Sequence, residues 1–217
     1  MSDYKQVPES FINQILHRLN QVRLDVTDDV LETFLEVPRE NFVLEKNRKN
    51  AYTDRPQPIF ADQTISAPHM YAMMMSRALG DPSKGMTILE IGTGSGYGAA
   101  LLGHIVNPGK VYTIERHHKL VKFAQSNIES VNLDNIEVIH GNGTKDIPDL
   151  LFDRIIVTAA GKSLPPIYEN HLKIGGKIVI PLVNENNDQW MWTFTKKENG
   201  SISHHRSLQV IFVPLVY

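Results

Sequence analysis

The chain contains no cysteine in its 217 residues, which excludes disulfides, thiolate nucleophiles, cysteine-ligated zinc and iron–sulfur clusters. It also lacks an excess of either charge. Lys+Arg number 22 against 24 Asp+Glu, a formal net charge of −2, so a broad phosphate-gripping surface for nucleic acid is not expected. Nowhere do about 18 apolar residues follow one another, and the opening from Met1 to Ser10 has no apolar run behind a basic head. The reading is a cytoplasmic, monomeric protein with neither nucleic acid nor membrane as partner. What is present is ordinary: 41% hydrophobic and 8% aromatic residues, in a length that buries roughly 70% of the surface its unfolded chain exposes around one sizeable core.

Two amphipathic helices open the chain. Phe11, Ile12, Ile15, Leu16 and Leu19 fall at helical spacing behind Pro8 and Ser10, and Val30, Leu31, Phe34 and Leu35 repeat it behind Thr27, Asp28 and Asp29. Pro38 closes the second, and the polar stretch Glu45–Pro58, with Pro56 and Pro58, reads as a loop crossing the surface. Ser66 is placed to cap a third helix with Pro68 in its first turn, a methionine face of Met70, Met73 and Met74, and Gly80 after its end. From Met86 onward the apolar runs Ile88–Ile91, Lys110–Glu115, Ile136–His140, Phe152–Thr158 and Lys177–Leu182 alternate with helical stretches, the signature of a parallel sheet with right-handed crossovers. Gln189–Lys197 and Ser201–Val216 flank Asn199-Gly200 and read as an antiparallel hairpin. The fold class is therefore α/β: a doubly wound, mostly parallel sheet with an antiparallel C-terminal hairpin and an N-terminal helical extension. No repeat or linker divides it, so a single domain is expected over 1–217, with a helical segment at 1–80 and an α/β core at 81–217.

The first strand runs into Gly92-Thr93-Gly94-Ser95-Gly96 and then a helix. Glycines there let backbone approach a ligand, and the exposed amides at the helix start favour an anionic group. Spacing alone does not choose the ligand, because Gly94-x-Gly96-x-x-Ala99 also satisfies the dinucleotide fingerprint. Glu115 ends the second strand, where a carboxylate can accept from both ribose hydroxyls of an adenosine cofactor, and Gly141-Asn142-Gly143 ends the third. The acid Glu90, two residues ahead of Gly92, decides between cofactors. It can hold an ammonium, directly or through backbone and water, whereas beside a pyrophosphate it would repel; this favours S-adenosyl-L-methionine over a nicotinamide dinucleotide.

With these residues in view, the chain resembles the protein-L-isoaspartate O-methyltransferases. The resemblance is carried by Val37-Pro38-Arg39-x-x-Phe42, Ala51-Tyr52-x-Asp54-x-Pro56, Gln63-Thr64-Ile65-Ser66-Ala67-Pro68-His69-Met70 and Leu89-Glu90-Ile91-Gly92-Thr93-Gly94-Ser95-Gly96-Tyr97. It continues through Val111–Arg116, Phe152–Ala160 and Phe212-Val213-Pro214-Leu215. The Gln63–Met70 block is the specific one, since methyltransferases at large share only the glycine loop. The resemblance implies S-adenosyl-L-methionine as methyl donor, S-adenosyl-L-homocysteine as product, and isoaspartyl proteins and peptides as substrates. It implies that Ser66 is the catalytic residue beside the substrate carboxylate, that Gln63, Thr64, Ile65 and Ser66 line the cofactor pocket with Thr64 also reaching the substrate, that Glu115 takes the ribose and that Asn142 and Gly143 flank the adenine. The end of the chain, around Ile211, Val213 and Leu215, is implied to form the peptide cleft. Two departures stand out. Phe60-Ala61-Asp62 replaces a glycine-containing stretch often found before the Gln-Thr-Ile-Ser block, and Asn142 stands where the family usually has aspartate.

The implied reaction needs no general base, because a carboxylate with a reference pKa of about 3.5 to 4 is already ionised near neutrality. This agrees with a glycine loop that has no acid–base pair beside it. Ser66 then positions the carboxylate, while the plainer role left open for it is a helix cap. His117-His118 and His204-His205 lack the spacing of a helical ligand pair, so no metal is expected. Trp190 and Trp192 alternate onto one strand face and are expected to cover the core. The competing functions are a methyltransferase acting on RNA or a small molecule, a non-catalytic relative that keeps the cofactor pocket, and a dehydrogenase.

Overall fold

The computed structural model describes residues 7–80 and 83–217. Helix α1 (Glu9–Gln21) buries Phe11, Ile15 and Leu19, and α2 (Asp28–Glu36) buries Val30 and Phe34, the stripes that a 3.6-residue repeat places on one side. The Glu45–Pro58 stretch is more structured than a surface loop. It holds a 3-10 helix at Glu45–Asn50, and both Ala51 and Gln57 are buried; the Gln57 amide donates to the Asn50 carbonyl at 2.6 Å. It then leads into a small antiparallel hairpin, β1 (Gln57–Pro58) and β2 (Thr64–Ile65).

At the tip of this hairpin, Ala61 and Asp62 have φ of +57° and +55°, and the turn closes with the Gln63 N–H donating to the Phe60 carbonyl at 3.2 Å. The Phe60-Ala61-Asp62 stretch thus holds a left-handed backbone on residues for which it is sterically costly. Phe60 anchors the tip: its ring meets Phe123 edge-on at 5.1 Å and lies under the Lys119 ammonium at 4.0 Å.

Helix α3 (Pro68–Ala78) begins one residue later than a cap at Ser66 would place it. The capping residue is Ala67, with no side-chain cap bond, so Ser66 lies outside the helix and is free of the capping role. Met73 and Met74 are buried as expected, with Met75 beside them, and Gly80 at φ +81° follows the end.

The remaining chain alternates β3 (Thr87–Ile91), α4 (Tyr97–Val106), β4 (Lys110–Glu115), α5 (His118–Glu129), β5 (Ile136–His140), β6 (Phe152–Val157), α6 (Pro166–Asn170), β7 (Leu172–Val183), β8 (Gln189–Lys196) and β9 (Ile202–Val210). The seven-stranded sheet has the order β5-β4-β3-β6-β7-β8-β9; β5 through β7 in that order pair in parallel, and β8 and β9 antiparallel. β3 lies at the reversal of strand order, the place where open α/β sheets leave a crevice. Alternate residues serve opposite faces: Ile88, Val111, Ile156 and Val179 join α1 through α5 in one core, while Leu89, Ile91, Ile155 and Ile178 pack with Tyr168 of α6 in another. Trp192 packs against this second core, and Trp190 lies under the Arg206 guanidinium at 4.6 Å.

The last strand is shorter than its apolar run suggested. β9 ends at Val210, and the tail turns to lie beside Ala160: the Ala160 N–H donates to the Val213 carbonyl and the Leu215 N–H to the Ala160 carbonyl, both at 2.8 Å. Gln189 directs the departure, accepting from the Phe212 N–H at 2.6 Å and donating to its carbonyl at 3.0 Å. Among the described residues, no helix is long and apolar enough to cross a membrane.

The hairpin tip gives a stability test. Ala61→Gly relieves left-handed strain of about 1–2 kcal/mol and returns part of it as unfolded-state entropy. The expected outcome in urea denaturation is a higher midpoint, whereas Ala61→Val lowers it.

Candidate active site

A cavity of about 1260 Å³ opens at the C-terminal ends of the central strands. Single-ligand pockets run to about 1,000 Å³, so this one has room for a cofactor and part of a second molecule. Its floor is made by Ile91–Gly94 after β3, Ile114–His117 after β4, Gly141–Gly143 after β5 and Thr158-Ala159 after β6. Its other walls are Asp62–Thr64 of the hairpin, Ser66, His69 and Tyr71 around the start of α3, and residues 187–189 and 209–216.

The floor is bare backbone because the strand ends crowd it. Gly92 has φ +97°, and a Cβ there would meet Thr158 Oγ1 at 2.3 Å; a Cβ on Gly143 would meet Ile91 Cγ2 at 2.4 Å. Glu115 is buried, with its two carboxylate oxygens held by the Gly94 N–H at 3.0 Å and the His117 N–H at 2.9 Å. Each oxygen keeps a further lone pair, which makes a fixed acceptor pair for a diol. Gly143 is buried and, among the described residues, its N–H has no acceptor, an arrangement that calls for a ligand atom. The Asn142 carbonyl oxygen of the side chain accepts from the Thr144 N–H and hydroxyl, each at 2.9 Å, which leaves its amide NH2 free. These features fit an adenosine: a diol at Glu115 and a base edge beside Asn142 and Gly143.

Of the residues singled out from sequence, Gln63, Thr64, Ser66, Gly92, Thr93, Gly94, Glu115, Asn142, Gly143, Ile211, Val213 and Leu215 line this cavity. Ile65, Glu90, Ser95 and Gly96 lie behind its wall. Ile65 is a core residue, Ser95 is buried, and Gly96 packs against Ala124 of α5. Glu90 departs most from expectation. Its side chain turns under α4, where a Cβ on Gly98 would strike its carboxylate, and it accepts from the Thr113 hydroxyl at 2.6 Å. Thr113 in turn pairs with the Thr93 hydroxyl at 2.6 Å, so Glu90 reaches the cavity only through two threonines.

Two residues with no role assigned from sequence belong to the site. Asp54, only 5% exposed in its side chain, accepts from the His69 N–H at 2.9 Å and from His69 Nδ1 at 2.7 Å, with Arg18 at 3.6 Å on its other side. This holds His69 with Nδ1 turned to the carboxylate, and His69 lines the cavity. Both residues fall inside the blocks that carried the resemblance, but only folding brings their side chains together. Among the described residues no group of three or more His, Asp or Glu could hold a metal.

Burial pushes the Glu90 carboxyl up to about 8, opposed by the Thr113 hydrogen bond and reinforced by the charge of Glu115. The folded state therefore binds this proton more tightly than the unfolded chain. Its contribution to stability is complete below the ordinary value of 4.5 and is lost as pH rises through about 8. Glu90→Gln is expected to flatten this decline and to exceed the parent's stability above pH 8, as read from urea midpoints across the range. A parallel pH profile for the two proteins would contradict the burial account.

Residues 10–217 match the family model for protein-L-isoaspartate(D-aspartate) O-methyltransferase. The chain is 41% identical over 217 residues to the protein-L-isoaspartate O-methyltransferase of Pyrococcus horikoshii, covering 100% of this chain and 97% of that protein. It is 42% identical over 206 residues to the Methanopyrus kandleri enzyme of the same name, covering 94% and 90%. Among solved structures, a Plasmodium falciparum protein-L-isoaspartate O-methyltransferase in complex with S-adenosyl-L-homocysteine superposes with a TM-score of 0.81 at 32% identity, covering 93% of this chain and 96% of that one. By sequence over nearly its whole length and by fold, the chain belongs to the protein-L-isoaspartate(D-aspartate) O-methyltransferase family.

Proposed function

We propose that this protein transfers the methyl group of S-adenosyl-L-methionine to the free α-carboxylate of L-isoaspartyl residues in damaged proteins and peptides. The observation that carries the reading is the union in one cavity of an adenosine-shaped floor with the Gln63–Met70 block. Cytoplasmic action as a monomer and a single domain over 1–217, with 1–80 on the substrate side, belong to this reading and rest on the sequence alone.

The cofactor supplies an electrophilic methyl on a positively charged sulfur. Glu115 would take its ribose hydroxyls, Asn142 and Gly143 the adenine edge, and the backbone of Gly92–Gly94 the rest, with Gln63 and Thr64 closing from the hairpin. The substrate carboxylate arrives ionised, so this chain has no proton to remove. Its task is alignment of nucleophile and leaving group in a water-poor site. Ser66 Oγ, free of any capping duty, donates to one carboxylate oxygen and leaves the other to attack. Thr64 borders the same space, and the tail at Ile211, Val213 and Leu215, with backbone half-paired to Ala160, offers an edge on which an extended peptide can lie. After transfer the ester is a better leaving group than the carboxylate. Attack by the next backbone nitrogen closes a succinimide and releases methanol, a sequel that takes place off the enzyme and opens the route back to aspartate.

The test is transfer of a labelled methyl group to a short isoaspartyl peptide beside its normal aspartyl counterpart. A base-labile ester is expected on the former alone. Label on RNA, or on neither peptide while S-adenosyl-L-homocysteine still binds, would overturn the reading in favour of another acceptor or a non-catalytic relative. Ser66→Ala is expected to lower turnover by about 10- to 100-fold, the scale of one charge-assisted hydrogen bond at about 1.5–3 kcal/mol, with an unchanged melting temperature because Ala67 is the cap.

A further inference from the structure

Arg39 is among the largest fully buried side chains of the described residues, and none of their carboxylates pairs with it. No carboxylate among the described residues lies within salt-bridge distance of its guanidinium. Nε donates to the Ala51 carbonyl at 3.0 Å, Nη2 donates to the Ser66 carbonyl at 2.8 Å, and the guanidinium faces the Tyr97 ring at 4.9 Å. Among the described residues Nη1 is buried without an acceptor in hydrogen-bond geometry, and the neighbouring polar group that favours its charge is the neutral Tyr97 phenol, whose oxygen is likewise unpaired.

The groups around it do not supply a countercharge. Burial pushes the Tyr71 phenol up to about 12 and the Tyr97 phenol well above its ordinary range, so both are neutral at physiological pH. Glu90, raised to about 8, is mostly protonated there. Asp54 is an acid whose charge acts on Arg39 from a distance, and it is already shared between His69 and Arg18. Burying a guanidinium without a matched anion is expensive, and arginine does not escape the cost by losing its proton. This positive charge is tied to the main chain of Ser66 on a side of the cavity whose lining, among the described residues, contains no lysine or arginine; Arg116 lies on the floor formed by the strand ends.

We propose that Arg39 is the positioning residue for the substrate carboxylate: it fixes Ser66 by its carbonyl oxygen, and its buried charge is balanced in the complex by the isoaspartyl carboxylate itself. The inference rests on the placement of that carboxylate at Ser66. As methyl transfer proceeds the carboxylate loses its charge, so attraction to Arg39 is stronger before the reaction than at its transition state. Loss of its electrostatic share therefore raises KM and does not lower kcat. An interior charge is also shielded from mobile ions, unlike a surface one.

The experiment compares binding of an isoaspartyl peptide with the same peptide carrying a primary amide in place of the α-carboxylate, in the parent, Arg39→Gln and Arg39→Lys, with S-adenosyl-L-homocysteine affinity as the control for folding. The parent is expected to prefer the carboxylate by about tenfold or more, a ratio worth about 1.4 kcal/mol per decade. Arg39→Gln should bring the ratio near unity, and Arg39→Lys, which keeps the charge, should restore most of it. A preference kept intact in Arg39→Gln overturns the inference and leaves the Ser66 placement standing. No preference in the parent contradicts the Ser66 placement instead. Should Arg39→Gln fail to bind S-adenosyl-L-homocysteine, the parent decides: KM for the peptide should stay nearly constant as salt is raised, and a steep rise would assign the attraction to exposed charges and overturn the inference.

Discussion

The site depends on how β3 ends between its two neighbours. The Gly92 N–H donates to the Ile114 carbonyl of β4, and the Thr158 N–H after β6 donates to the Ile91 carbonyl, both at 2.9 Å. The Thr158 hydroxyl then closes on the carbonyls of Ile91 and Gly92. This tie draws three strand ends together so closely that a side chain at position 92 has no room. The chain must turn left-handed at Gly92, Gly94 and Gly96 before α4 can start. Because that turn is fixed, the Gly94 N–H reaches Glu115 and holds its carboxylate in place for a ligand. The crevice is thus a consequence of strand order and crowding, and its floor is backbone because nothing larger fits.

Around this fixed floor the chain arranges parts of different character. The walls away from the strand ends come from the hairpin, the start of α3 and the C-terminal tail, pieces with little regular structure of their own. Each is tied by polar side chains reaching from elsewhere. Arg39 ties Ser66 and Ala51, Asp54 ties His69, and Gln189 ties Phe212. The floor is held largely by main-chain pairing and these walls by side chains. A change in loop residues can therefore reshape the walls while leaving the floor intact; at Phe60-Ala61-Asp62, Phe60 packs on Phe123 and the backbone holds a left-handed turn without glycine.

The parts legible in the sequence are those with strong local signals. Lys110–Glu115 and Ile136–His140 are strands with the bounds their apolar runs set, and Asn199-Gly200 turns the hairpin as its φ preference demands, with Gly200 at +81°. Gly92, Thr93, Gly94 and Glu115, singled out by residue type alone, line the cavity. The parts that were hidden depend on contacts between distant segments. The apolar residues after Val210 read as a continuing strand, but Gln189 takes the main chain of Phe212 and the tail leaves the sheet. Ser66 has the residue type of a cap, yet its carbonyl is held by Arg39 and the helix begins after Ala67. Glu90 lies on the strand face that points under α4 and not toward the crevice, a matter of register that its place in the motif does not reveal. The His69–Asp54 pair spans a whole hairpin, and only the folded chain brings it together.

A crystal structure of the protein with S-adenosyl-L-homocysteine and an isoaspartyl peptide would test the account most directly. The adenosine is expected between Glu115 and Gly143, and the isoaspartyl α-carboxylate within hydrogen-bond reach of Ser66 Oγ, facing the cofactor's sulfur. A carboxylate held elsewhere, with Ser66 turned away from it, would contradict alignment of the methyl acceptor by this serine and the arginine behind it.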